Sequence, residues 1–166
     1  QELTLDTAYK FVTEKMGLKH FTEYENGQSD KTESSLALGG SVHGATTLEM
    51  SAAFSTFGNG GIYYEPKTYT KILDQNDEVV IDNTNKQHRA ISEGTAAIMN
   101  KMLQNVVYGA NGTGKGAAGY ISNMKIYAKT GTSNNSNDLW FVGGSPYYVA
   151  SCWCGYDNQQ TISDSG

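Results

Sequence analysis

Cysteine, proline and charge are scarce in this chain. Of 166 residues only two are cysteine and two are proline, and 17% are charged, below the usual quarter. Cys152 and Cys154 stand two apart in a strand-like run, sharing a face but too constrained to pair with each other easily. They read as two small apolar thiols. A metal site would need further ligands, and His20, His43 and His88 are all distant in sequence. No stretch approaches about 18 consecutive apolar residues, so nothing in the sequence spans a membrane as a helix. A net charge of -5 and the lack of any Lys/Arg cluster argue against nucleic acid as a partner. No leader peptide is visible, because Gln1-Glu2 opens directly into a helical pattern, the start expected of a mature or excised fragment.

Glycine and tyrosine are plentiful, with 19 and 11 residues, and Asn, Ser and Thr are common. A polar, uncharged, Tyr-rich surface fits an exported protein that handles glycan or peptide. The length is that of one domain or part of one, enough to bury a core.

Leu5, Ala8, Tyr9, Val12 and Met16 recur at helical spacing and predict an amphipathic helix over 4–16, with Gly17-Leu18 as a left-handed cap. Residues 19–45 read as a long polar loop, a length usually reserved for function or disorder. Thr46-x-x-Glu49 is a capping box for a buried helix carrying Met50, Ala53, Phe54 and Phe57. Two strand-like runs follow, Ile62–Leu73 and Val79–Ile81, joined by a turn at Asp74–Asp77. Pro66 marks an edge or a break in the first. Ser92 caps a further helix with Ala96, Met99, Leu103, Val106 and Val107 on one face, ending at Gly109. The next loop, Gly109–Gly116, nearly matches a nucleotide P-loop. Gly116 stands where Ser or Thr should hold magnesium, and the loop follows a helix instead of a strand. Two strands at about 139–143 and 147–156 form a hairpin over Gly143–Pro146. There are no internal repeats and no interdomain linker.

The chemistry concentrates at Lys129-Thr130-Gly131-Thr132, with the lead-in Met124–Ala128 reading as the start of a strand. Period-two alternation puts Lys129 and Gly131 on one face and Thr130 and Thr132 on the other. A cation, two hydroxyls and a glycine suit an anionic ligand laid along a strand edge, the glycine marking close approach. The bland alternative is a surface strand with a Lys and two Thr. A nucleophile is harder to find. Ser122-x-x-Lys125 would share a face on a helix, but it leads into a strand. Ser133-x-Asn135 lies in the turn beyond the glycine strand. Ser41 and His43 lack the nucleophile-elbow spacing. Nothing in the sequence aligns His with a carboxylate as a triad.

The order of segments resembles the penicillin-binding transpeptidase domain. The matching pieces are Leu36-Ala37-Leu38-Gly39-Gly40, Thr46–Phe54 with Phe57–Gly61, Gly112-Thr113-Gly114, Ala128–Ser133, Asn137–Gly143 and Trp153–Asp157. The pattern looks most like class A, the bifunctional peptidoglycan synthases, over roughly residues 3–157. The resemblance implies an α/β (α+β) fold, an antiparallel sheet with helices, with three strands at 124–133, 139–143 and 147–156. It implies that residues 1–166 are the C-terminal portion of the domain, the fold being incomplete in this chain and its remainder supplied as a segment or second chain.

It further implies a serine acyl-transfer enzyme with three motifs, Ser-x-x-Lys, Ser-x-Asn and Lys-Thr-Gly, of which only the third is here. The serine nucleophile then belongs upstream of residue 1. Lys129 would support the electrostatics of the catalytic network, and Thr130 and Thr132 would bind the carboxylate of a peptidoglycan stem peptide or of a β-lactam. The Thr132 amide would be one oxyanion-hole donor, and Gly131 would leave room for the helix bearing the nucleophile. The parent reaction would be D-Ala-D-Ala transpeptidation on the extracytoplasmic face of the bacterial cytoplasmic membrane, in a membrane-anchored parent. This chain alone would be inactive, and no metal or organic cofactor is implied. Two alternatives stay open: a non-catalytic module binding cell-wall peptide or β-lactam, and a β-lactamase-like hydrolase or sensor.

Overall fold

A computed structural model of the chain describes residues 3–84, 86–120 and 123–162. Helix α1, Leu5–Lys10, starts where the Thr4 hydroxyl accepts the Thr7 amide, and it widens into a π-helical stretch over Phe11–Lys15. The stop falls where the periodicity placed it, with Gly17 at φ +74° and the Leu18 amide on Val12 O at 3.2 Å.

The expected loop 19–45 is not structureless. It contains α2, Glu33–Leu38, capped by the Thr32 hydroxyl and closed by left-handed Gly39. Six residues make too few turns for periodicity to register. The rest of this segment is tied down by Asp30, which is fully buried. Its Oδ2 accepts the Thr22 amide and its Oδ1 the Val42 amide, each at 2.8 Å. A buried carboxylate is tolerated when such bonds satisfy both oxygens.

Helix α3, Thr47–Ser55, carries the capping box in full: the Thr46 hydroxyl accepts the Glu49 amide at 3.1 Å and Glu49 Oε2 accepts the Thr46 amide at 2.9 Å. Glu49 also reaches across the molecule, Oε1 accepting the Lys19 amide at 2.9 Å while His20 Nδ1 lies 2.9 Å from both oxygens. Burial pushes its carboxyl up, but the hydrogen bonds from Thr46, His20 and Lys19 outweigh it and hold it below the usual glutamate range.

The single strand expected over Ile62–Leu73 breaks on either side of Pro66. Its first part, β1 (Ile62–Tyr64), and its last, β2 (Lys71–Leu73), belong to different sheets. The β2 strand forms a hairpin with β3, Val79–Asp82, over a turn in which Asp74 Oδ1 accepts the Asn76 and Glu78 amides. The partner of β1 is β4, Gln87–Arg89, too short and polar to read as a strand. Helix α4, Glu93–Tyr108, runs as expected from the Ser92 cap, with Ala96, Leu103 and Val107 buried.

The last sheet is an antiparallel meander of β5 (Tyr127–Thr132), β6 (Asp138–Gly144) and β7 (Val149–Gly155). The strand begins at Tyr127, so Met124-Lys125-Ile126 only lead into it. The β6–β7 turn lies at Ser145–Tyr148, slightly beyond its expected place, where the Ser145 amide donates to Tyr148 O. Consecutive residues of β5 point to opposite faces, and each face has its own helix. The Tyr127 hydroxyl donates to Phe54 O of α3 at 3.2 Å, and Ser51 of α3 bonds Ser151 of β7 at 2.9 Å. Burial pushes the Tyr127 hydroxyl up to about 12, so it remains a donor across physiological pH. On the other face Ala128 and Ile126 pack with Val107 of α4, flanked by Ala117, Ala118 and Phe141. Helices on both faces of an antiparallel sheet make this a mixed α and β fold, the expected class. No helix among the described residues is long and apolar enough to cross a membrane.

Candidate active-site strand

Among the described residues β5 has one strand neighbour in the three-stranded sheet, β6, so one edge of Lys129-Thr130-Gly131-Thr132 is free of strand pairing there. The register decides which groups that edge presents. Thr132 pairs with Leu139 and Lys129 with Val142, and one step beyond, the Ser133 amide donates to Asp138 O at 3.0 Å. In an antiparallel ladder hydrogen-bonded pairs alternate with non-bonded ones. Residues 133, 131 and 129 therefore face β6 with their backbone groups, and Thr130 and Thr132 turn theirs to the free edge. Lys129 Nζ bears this out by donating to Thr130 O at 2.6 Å.

The side chains divide as the alternation predicts. Thr130 and Thr132 share a face with Ala128 and α4, Lys129 and Gly131 the face with Tyr127 and α3. At the edge the two sets converge: the Lys129 ammonium curls to the Thr130 carbonyl, beside outward amides and hydroxyls. Such an edge can accept an extended peptide by strand addition and neutralise an anionic group on it. A β-carbon on Gly131 would sit 3.2 Å from Trp140 Cβ across the ladder, so the glycine makes room for this tryptophan.

The far end of β5 is clamped. Asp138 Oδ2 accepts the Ser133 hydroxyl at 2.9 Å and Oδ1 accepts the Trp153 indole N–H at 2.9 Å, while the Asp138 amide donates to Ser133 Oγ at 2.8 Å. Ser133 is thereby occupied as a turn residue. The Ser133-x-Asn135 spacing is part of this turn, with Asn135 at φ +58°.

Among the described residues the other candidates do not assemble a nucleophile. Ser122 lies outside the described residues, and Lys125 places its Nζ 4.3 Å from the centre of the Tyr108 ring, a cation–π contact. Among the described residues are two histidine–carboxylate pairs that sequence reading missed, His20–Glu49 and His43–Glu25, joined across 29 and 18 residues of chain. The first is built into the start of α3. Cys152 and Cys154, read as two small apolar thiols, are free and exposed. Among the described residues no three His, Cys, Asp or Glu side chains are grouped to hold a metal. Lys115 of the P-loop-like segment donates to Ala110 O, and Thr113 brings its hydroxyl 2.7 Å from that of Thr130. No residue-by-residue signal points to this last contact. Its only trace in the sequence is the Gly112-Thr113-Gly114 string.

Comparison with known proteins decides the family. The model of the penicillin binding protein transpeptidase domain matches residues 1–158. The chain belongs to this transpeptidase family. It is 35% identical over 158 residues to penicillin-binding protein 1A of Clostridium acetobutylicum, covering 92% of this chain and 19% of that protein. It is 34% identical over 174 residues to penicillin-binding protein 4 of Bacillus subtilis, covering 96% and 27%. Among solved structures, penicillin-binding protein 1A from Haemophilus influenzae superposes with a TM-score of 0.72 at 24% identity, covering 98% of this chain and 28% of that one. The PonA1 protein from Mycobacterium tuberculosis in complex with penicillin V gives 0.68 at 16% identity, covering 95% and 46%. The fold is thus that of penicillin-binding transpeptidases, and the chain spans about a fifth to a quarter of the curated relatives it matches.

Proposed function

We propose that this chain is the C-terminal portion of a peptidoglycan D,D-transpeptidase domain and supplies its substrate-binding strand. Lys129, Thr130, Gly131 and Thr132 form that strand, and the serine nucleophile comes from a Ser-x-x-Lys segment N-terminal to Gln1. The observation that carries the reading is the free edge of β5, where the register turns the Thr130 and Thr132 amides outward beside the Lys129 ammonium. A stem peptide ending in D-Ala-D-Ala, or a β-lactam resembling it, lies along this edge. The Thr130 and Thr132 hydroxyls donate to its carboxylate, Lys129 offsets its charge and supports the catalytic network, and the Thr132 amide donates to the oxyanion as the tetrahedral intermediate forms. The reaction takes place on the extracytoplasmic side of the membrane. The chain by itself forms no acyl-enzyme: the serine that its described residues hold against a carboxylate, Ser133 on Asp138, is occupied in the turn after β5.

The test is the second-order acylation rate by a fluorescent penicillin in the full-length protein carrying this chain. A hydrogen bond to a charged group contributes about 1.5–3 kcal/mol, roughly 10- to 150-fold in rate. Thr130→Val and Thr132→Val should each slow acylation by about that factor. Lys129→Ala should slow it more, because it removes charge from both ligand site and catalytic network. Parent-like rates in both Thr variants would leave the strand purely structural.

A further inference from the structure

The loop after α4 has the composition of a phosphate cradle, but its amides point elsewhere. The Gly114 amide donates back to Val106 O at 2.9 Å and the Gly112 amide to Gly109 O at 3.0 Å. A β-carbon on Gly112 would run into the carbonyl oxygens of Val106 and Asn105. Glycine there lets the backbone press against the last turn of α4. The residue this packing presents is Thr113, exposed, with its Oγ1 2.7 Å from Thr130 Oγ1.

Two hydroxyls at that distance share one hydrogen bond, and each has one proton and two acceptor lone pairs. If Thr130 points its proton at Thr113, it meets an incoming carboxylate with oxygen lone pairs alone. If Thr113 is the donor, the Thr130 proton stays free for the ligand. An ionised carboxylate only accepts, so a bound anion selects the second arrangement. A hydroxyl that accepts one bond while donating another is also polarised by the first.

We propose that Thr113 is a positioning residue for Thr130: its hydroxyl donates to Thr130 Oγ1, turning the Thr130 proton toward the ligand carboxylate. The inference rests on the carboxylate reading of Thr130 and adds the group that orients it. The loop is then the support of the binding strand, which explains a Gly-rich motif that otherwise has no role.

The experiment is a double-mutant cycle on acylation by fluorescent penicillin in the full-length protein, with Thr113→Val, Thr113→Ala, Thr113→Ser, Thr130→Val and the Thr113→Val/Thr130→Val double variant. A neutral hydrogen bond corresponds to about a 3- to 10-fold effect, expected for Thr113→Val and for Thr113→Ala. Thr113→Ser keeps the donor and should stay within about twofold of the parent. The double variant should be no slower than Thr130→Val alone, since the orienting bond has no target once the Thr130 hydroxyl is gone. Thr113→Val and Thr113→Ala at the parent rate, with Thr130→Val slow, would overturn the inference and leave the carboxylate reading standing. A slow Thr113→Ser, or losses that multiply in the double variant, would overturn it too, because Thr113 would then act through shape and not through Thr130. Thr130→Val at the parent rate would remove the carboxylate reading and this inference together.

Discussion

The β5–β7 sheet and the β2–β3 hairpin are both built from short antiparallel strands, yet they differ in what covers them. In the sheet, Ala128 is fully buried and Val142 nearly so, because α3 and α4 close on the two faces from segments far away in the chain. In the hairpin every strand residue is exposed, with Ile72, Leu73, Val79, Val80 and Ile81 among them. The bonds that order it among the described residues are local, the Asp74 turn and a short ladder. An isolated two-stranded hairpin is marginal in water. The candidate site thus stands on the part of the molecule fixed by long-range packing, as a strand that must hold donors in place requires.

That contrast can be broken by one substitution placed in both regions. Ala128→Asp puts an unpaired carboxylate between Val107 and Ile126 and should cost about 4 kcal/mol or unfold the chain. Val80→Asp, at 63% exposure, should change stability by about 0.5 kcal/mol or less. Urea denaturation followed by tryptophan fluorescence measures both. Equal effects would mean that the hairpin is covered in solution or that the sheet is not.

A smaller effect sharpens the comparison at the start of α3, where a local cap and a distant tether meet in one side chain. Glu49→Gln replaces one acceptor oxygen with a donor facing N–H groups and should cost about 1–3 kcal/mol. The same carboxyl sets a pH dependence. Its folded pKa lies below the ordinary 4.5, so its stabilisation is complete above that value and is lost as pH falls through the lower folded one. Stability should fall more steeply on acidification in the parent than in Glu49→Gln. Parallel acid limbs would show that the carboxylate contributes nothing through its charge. The smallest effect belongs to the hairpin again: Val80→Thr keeps the β-branch and should alter the urea midpoint within error, about 0.5 kcal/mol at most.

Much of the fold was legible wherever a bond joins near neighbours. Thr46 with Glu49, Ser92 with Thr95, and Gly17 in its left-handed conformation all lie within a few residues of what they stabilise. Their residue types alone imply the geometry. The alternation along Lys129–Thr132 likewise predicted which side chains share a face. Short elements were missed for the complementary reason. Helix α2 and strand β4 carry too few residues for a period, and only tertiary contact makes them regular. The exposure of Cys152 and Cys154 was also beyond reach, since residue type states a preference and not a neighbour.

What the sequence by itself determined is helices α1, α3 and α4 with the caps at Gly17, Thr46 and Ser92, the strand character of 127–132 and the family pattern. Each depends on backbone geometry that repeats within one turn or one pleat. The tertiary structure alone decided that β5 has a free edge carrying the Thr130 and Thr132 amides, that Asp30 ties down the long segment before α3, and that Thr113 meets Thr130 from 17 residues away. Those outcomes depend on which elements come to lie beside which, and a strand pattern does not say which edge remains open. Pairing with β6 leaves the opposite edge of β5 open among the described residues, and burial of Val107 against Ala128 on one face and of Tyr127 under α3 on the other holds the strand in place, contacts whose partners no local spacing names.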